Sequence, residues 1–231
     1  MGLSFAIPID VAMNVSNQLK KSGRVVRGWL GVRIQDVTRE LAESFDMKKP
    51  HGALVAQVLD NSPAEKAGVK VGDVIVRFNG QTVDKSSSLP PMVGSAAINK
   101  TALLKIIRNK KPKTLKVKLE NLPDDEQVPT KLGGIKPKVD SVLGMTVVNL
   151  SADKRDKLKI KNDGVLVESV SNDSAAFGAG IRQGDVIMQL DGQDIKNVKQ
   201  LKKLADKAPT GKFVSVLINR RGEPIFLALK K

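Results

Sequence analysis

The chain has 231 residues, room for two domains of roughly 100 residues each. Its 41% hydrophobic and 27% charged residues are the composition of a chain that buries a core, and the absence of cysteine together with a single histidine, His51, excludes disulfides, thiol catalysis, Cys-based zinc sites and every motif that needs two histidines. The net charge of +15, from 39 Lys and Arg against 24 Asp and Glu, points to a polyanion such as an anionic membrane surface or nucleic acid, but an aromatic content of 3% with no Tyr leaves no stacking platform, so no specific nucleic-acid partner is expected.

The chain repeats itself. Gly52-Ala53-Leu54-Val55 returns as Gly164-Val165-Leu166-Val167, and Gly72-Asp73-Val74-Ile75 as Gly184-Asp185-Val186-Ile187, with 14 identities in the 32 positions between 52–83 and 164–195. An offset of 112 residues is too long for a solenoid and fits two copies of one small domain.

In chain order, each copy predicts a strand (Leu54–Leu59 or Leu166–Val170) and a short helix opened by an N-capping serine (Ser62 or Ser174), with Pro63 at the first helical position of the first copy. Gly68 or Gly180 closes the helix in a positive-φ conformation. A strand Val74–Phe78 and its counterpart follow, then Asn79-Gly80 or Asp191-Gly192 as a tight hairpin turn. A second helix is expected next. In the second copy Val198, Leu201, Leu204 and Ala205 stand at helical spacing, whereas Pro90 and Pro91 in the first copy predict a helix that is short or begins late. Each copy ends in an apolar hairpin, Leu103–Leu119 or Val214–Leu229, and in Leu115-Lys116-Val117-Lys118-Leu119 the lysines read as the wet face of a strand. The fold class is mixed β/α, mainly β: two partly open barrels with two helices each. The segment 121–140, with Pro123, Pro129, Pro137, Gly133 and Gly134, reads as a linker. His51 reads as a turn residue, and Asp73 and Asp185 as equivalents organising one loop twice.

The S-x-A-x-x-A-G-[VI]-[KR]-x-G-D-V-I pattern of both copies resembles the PDZ domain in the permuted form of bacterial proteases. Arg27-Gly28-Trp29-Leu30-Gly31-Val32 resembles the carboxylate-binding loop of HtrA-family serine proteases, and Ser141-Val142-Leu143-Gly144-Met145 stands in the same place of the second copy. Leu3-Ser4-Phe5-Ala6-Ile7-Pro8 and a helix over Ile9–Lys21 resemble the end of the family's protease domain. Two PDZ copies behind such a tail resemble the periplasmic DegP and DegQ branch. The domains so implied are a protease-domain remnant (1–26), a first PDZ domain (27–120), the linker, and a second PDZ domain (141–231).

The family's G-N-S-G-G serine motif does not occur in these residues, so the chain itself is expected to lack catalysis, and no metal or cofactor is expected. The resemblance implies a periplasmic peptide-binding and assembly module that takes C-terminal or extended segments of unfolded proteins by strand addition. Its other partners would be its own protease domain and neighbouring PDZ domains in trimers or cages. The backbone amides of Leu30, Gly31 and Val32 would hold the peptide carboxylate, with Arg24 and Arg27 adding attraction. Leu30, Val32 and Ile34 with Leu89, Met92 and Val93 would form the pocket, which Trp29 is large enough to gate. The second-copy analogues are Leu143, Gly144, Met145 and Val147 with Val198, Leu201 and Ala205.

Overall fold

The computed structural model describes residues 28–98, 100–121, 140–150 and 163–231, with the isolated positions 9, 12, 13, 16, 19, 20 and 155. Arg24, Arg27 and most of the expected linker lie outside these residues. The helix expected over 9–21 is represented by its described positions, all of them helical.

The first repeat begins with β1 (Gly28–Trp29) and β2 (Val32–Asp36), then α1 (Arg39–Ser44), β3 (Ala53–Val58), α2 (Pro63–Lys66), β4 (Val74–Phe78) and β5 (Gln81–Thr82). A 3₁₀ turn (Ser86–Ser88) leads into α3 (Leu89–Ser95), followed by β6 (Thr101–Arg108), β7 (Lys111–Lys118) and β8 (Glu120–Asn121). The second repeat comprises β9 (Asp140–Val142), β10 (Met145–Asn149), β11 (Val165–Val170), α4 (Ala175–Gly178), β12 (Val186–Leu190), β13 (Gln193–Asp194), α5 (Val198–Lys207), β14 (Phe213–Arg220) and β15 (Glu223–Lys230).

Local chemistry places these elements where the residues ask for them. Ser62 and Ser174 accept the N–H groups of Glu65 and Phe177, capping α2 and α4 as expected. Five hairpin turns, Asn79-Gly80, Asn109-Lys110, Leu143-Gly144, Asp191-Gly192 and Arg221-Gly222, have both residues at positive φ, the twist that suits two-residue hairpins. Pro90 and Pro91 do not delay α3. They occupy its first turn, where missing N–H groups cost nothing, so α3 starts at Leu89 and is short, seven residues against ten in α5. Helix α1, capped by the Thr38 hydroxyl, is an addition to the two helices expected of the first repeat.

The antiparallel sheets follow one plan, β2-β3-β4-β6-β7 and β10-β11-β12-β14-β15, with β5 and β13 as short side strands. Each encloses a core: Val55, Ile75, Leu104, Ile106 and Val117 in the first, Val167, Ile187, Val214, Val216 and Ile218 in the second. Among the described residues the second sheet has one strand more. β9 pairs along the outer edge of β10, whereas β1 turns away from β2 and pairs with β8.

A third cluster joins the repeats. Leu41 and Ala42 of α1, with Leu54, Ala56, Val74 and Val76 from the back of the first sheet, bury Leu217 and Phe226 of the second. Phe45 meets Phe226 edge-on at 6.2 Å. The Gln35 amide donates to the Phe226 carbonyl (3.1 Å) and accepts its N–H (2.8 Å), continuing the hydrogen bonding of strand β15 across the junction, and Arg33 pairs with Glu223 at its rim.

A candidate peptide groove

Gly31 fixes the end of the first groove. It lies at φ +77°, and a β-carbon there would stand 2.2 Å from the Ser62 side chain, so the loop lies flat on the N-terminus of α2. The Leu30 carbonyl accepts Ala64 N–H and the Gly31 carbonyl accepts Leu59 N–H, both at 2.9 Å. A trans peptide carries its N–H opposite its carbonyl. With those carbonyls turned inward, the amides of Gly31 and Val32 point out of the loop, the disposition an anion needs. Trp29 lies against Gly31 and is half-buried.

From this loop β2 runs as the outermost strand of its sheet among the described residues. Val55 N–H is committed to the Asp73 carbonyl, so Ile34, paired with Val55, turns its own N–H to the open edge. Val32, Ile34 and Met92 are half-buried and pack on the core, while Leu30, Leu89 and Val93 are buried in it. The residues expected to form the pocket therefore belong to or pack against one core cluster, Leu30, Leu89 and Val93 buried in it and Val32, Ile34 and Met92 partly exposed on it.

The second groove differs. Leu143 and Gly144, at φ +56° and +77°, close a two-residue turn between β9 and β10. Gly144 repeats the close approach of Gly31, 2.2 Å from the Ser174 side chain, and its carbonyl accepts Ser171 N–H. Among the described residues no bond from α4 to the Leu143 carbonyl matches the one from Ala64 to Leu30. Met145 and Val147 are 1% and 0% exposed, and Val198, Leu201 and Ala205 are buried with them.

Asp73 and Asp185 play the same part in the two copies. Each fully buried carboxylate accepts the backbone N–H at the start of its loop, Lys70 or Arg182, and two bonds from a guanidinium, Arg108 or Arg220, which also reaches the carbonyl of Gly68 or Gly180. These carboxylate bonds hold both arginines above their ordinary pKa. The lysines of β7 and α5 stand on exposed faces opposite buried Leu115, Val117, Leu201 and Ala205. His51 Nδ1 lies 3.0 Å from the Lys49 carbonyl, a turn contact. The described residues hold no cluster of His, Cys, Asp and Glu suited to a metal.

Residues 28–119 and 141–230 each match the PDZ domain family. The chain belongs to that family. Over its whole length it is 46% identical to a probable periplasmic serine endoprotease, DegP-like, of Pseudomonas putida strain GB-1, and 44% identical to the one of Hahella chejuensis. It spans about half of each, 48% and 49%. A solved structure of the HtrA-type protease AlgW with decapeptide is similar at 29% identity and a TM-score of 0.45, over 52% of this chain and 37% of that one. The curated relatives are named periplasmic serine endoproteases, and the periplasm is the location of the PDZ pair. The two PDZ matches take up most of the 231 residues.

Proposed function

We propose that the chain is the peptide-capturing and regulatory part of a periplasmic protein quality-control protease. Its first groove takes the C-terminal or extended segments of unfolded proteins by strand addition. The observation that carries this reading is the open β2 edge, with Ile34 N–H facing outward, ending at a loop whose Gly31 and Val32 amides are turned out by the inward carbonyls. Backbone bonds along β2 are indifferent to the peptide's sequence, and the apolar surface of Val32, Ile34 and Met92 selects its terminal side chain. Arg24 and Arg27 would attract the carboxylate from the approach to the loop. In the assembled protein, residues 1–26 would be the end of the protease domain, and the PDZ domains would contact that domain and one another in trimers or cages.

Trp29, the only tryptophan, reports on this groove. Titrating a pentapeptide that ends in a free valine should change its fluorescence with a Kd of order micromolar, about −8 kcal/mol. Amidating the terminus should weaken binding at least tenfold. Equal affinity for the two forms refutes the carboxylate site.

A further inference from the structure

We infer that the second groove is a strand-addition site already filled by a segment of this chain, residues 140–142, with Val142 as its apolar anchor. The two sheets share one plan, and the extra strand of the second, β9, lies where the first leaves its edge open. β9 runs antiparallel to β10 with Val142 opposite Met145 and Asp140 opposite Val147, and it packs against α5, the helix that forms the other wall. A peptide added to β10 with its end at the loop would take this strand's direction and place.

Burial tells the same story from the side chains. Val142 is 5% exposed and belongs to the core cluster that holds Met145, Val147, Leu201 and Ala205. The equivalents of Met145 and Val147 in the first copy, Val32 and Ile34, are only partly buried, and among the described residues no strand pairs along the outer edge of β2. The backbone differs in the same sense: to turn β9 onto β10, Leu143 adopts φ +56°, a conformation unfavourable for a residue with a β-carbon, while its counterpart Leu30 does not. The β10 edge is therefore closed to a peptide while β9 is docked, and opens only when residues 140–142 leave. Of the two grooves, one is ready and one is held by its own chain.

The inference rests on the strand-addition reading of the first groove only through the equivalence of the two sites, and amide exchange tests it without any peptide. Val167 N–H is committed to Asp185, so the Val147 amide faces β9 as the Ile34 amide faces the open edge. In native-state hydrogen exchange of the 231-residue chain, Val147 should exchange at least about 100-fold more slowly than Ile34. Val142→Asp, which puts a charge in the buried seat, should abolish that difference while Ile187 in the core keeps its protection. Should that variant fail to fold, Leu143→Pro forbids the turn by fixing φ near −65° and leaves Val142 intact.

A synthetic peptide with the sequence of residues 136–142 and a free terminus should then shift the Met145 and Val147 amides of the opened variant, and not those of the unaltered chain. Binding at the first groove is scored separately in the same spectra, from Leu30, Gly31 and Ile34. The inference is overturned if Val147 exchanges as fast as Ile34 in the unaltered chain, or keeps its protection in both variants. It is equally overturned if the peptide shifts Met145 and Val147 in the unaltered chain, or in neither form.

Discussion

Replacing Arg108 with methionine should cost the first domain more than replacing its partner Asp73 with asparagine, although each change breaks the same ion pair. The asymmetry follows from burial: the Asp73 side chain is 0% exposed and that of Arg108 is 18% exposed. Without Arg108 the carboxylate loses both guanidinium bonds, of 2.6 Å each, and keeps only Lys70 N–H at 2.8 Å. A buried charge left without its partner costs about 3–5 kcal/mol. Asp73→Asn instead keeps an acceptor for Lys70 and leaves a guanidinium that is partly exposed, so its cost is that of lost charged hydrogen bonds, about 1.5–3 kcal/mol. Urea unfolding followed by Trp29 fluorescence reads the first domain alone, because no other tryptophan is present. Arg220→Met and Asp185→Asn should repeat the order in the second domain, read by circular dichroism. An Asp73→Asn loss equal to or greater than that of Arg108→Met refutes the reasoning.

Gly31→Ala combines positive φ with a contact at 2.2 Å and should lose about 2–4 kcal/mol, together with peptide binding, while Gly68→Ala, at φ +74° with nothing within 4 Å, should lose only about 1 kcal/mol; thermal midpoints of the two variants decide. The backbone and hydroxyl of Ser86 hold the Asp36 carboxyl below its ordinary pKa of 3.8. Its contribution is therefore complete above that value and is lost as pH falls through the lower folded one, so the gap in thermal midpoint between the unaltered chain and Asp36→Asn should shrink below about pH 4, and a constant gap contradicts the assignment. Phe226→Ala removes a side chain that is 3% exposed from the junction of the domains and should cost about 3–5 kcal/mol. It should also separate the unfolding transitions seen by Trp29 and by circular dichroism; an unchanged, coincident transition would show that the junction does not couple the domains.

What could be read in the sequence was whatever a short stretch decides by itself. Ser62, Pro63 and Gly68 mark both ends of α2, and Asn79-Gly80 and Asp191-Gly192 fix two hairpins, because caps and positive-φ turns depend on a few neighbouring residues. The pairing of Gly31 with Ser62, and of Gly144 with Ser174, is invisible until the repeat is folded, since 31 and 30 residues separate the partners. Helix α1 escaped notice because its six residues give too little periodicity.

The domain junction did leave a signal in β14, whose Phe213-Val214-Ser215-Val216-Leu217-Ile218 run is apolar at nearly every position, unlike the alternating β7. Such a run means burial on both faces: Val216 and Ile218 enter the second core, while Leu217 turns to the first domain. β9 had no such signal. Its three residues follow a stretch rich in Pro and Gly that reads as linker, and only the partner strand β10 shows what they do.

The most direct test of peptide capture through the first groove is the amide spectrum of the chain as a peptide with a free apolar C-terminus is added. Gly31, Val32 and Ile34 should shift together and saturate with one affinity, and the amidated peptide should leave Gly31 and Val32 nearly unmoved. Unchanged Gly31 and Val32 signals with the free peptide, or equal shifts with both forms, would contradict that expectation.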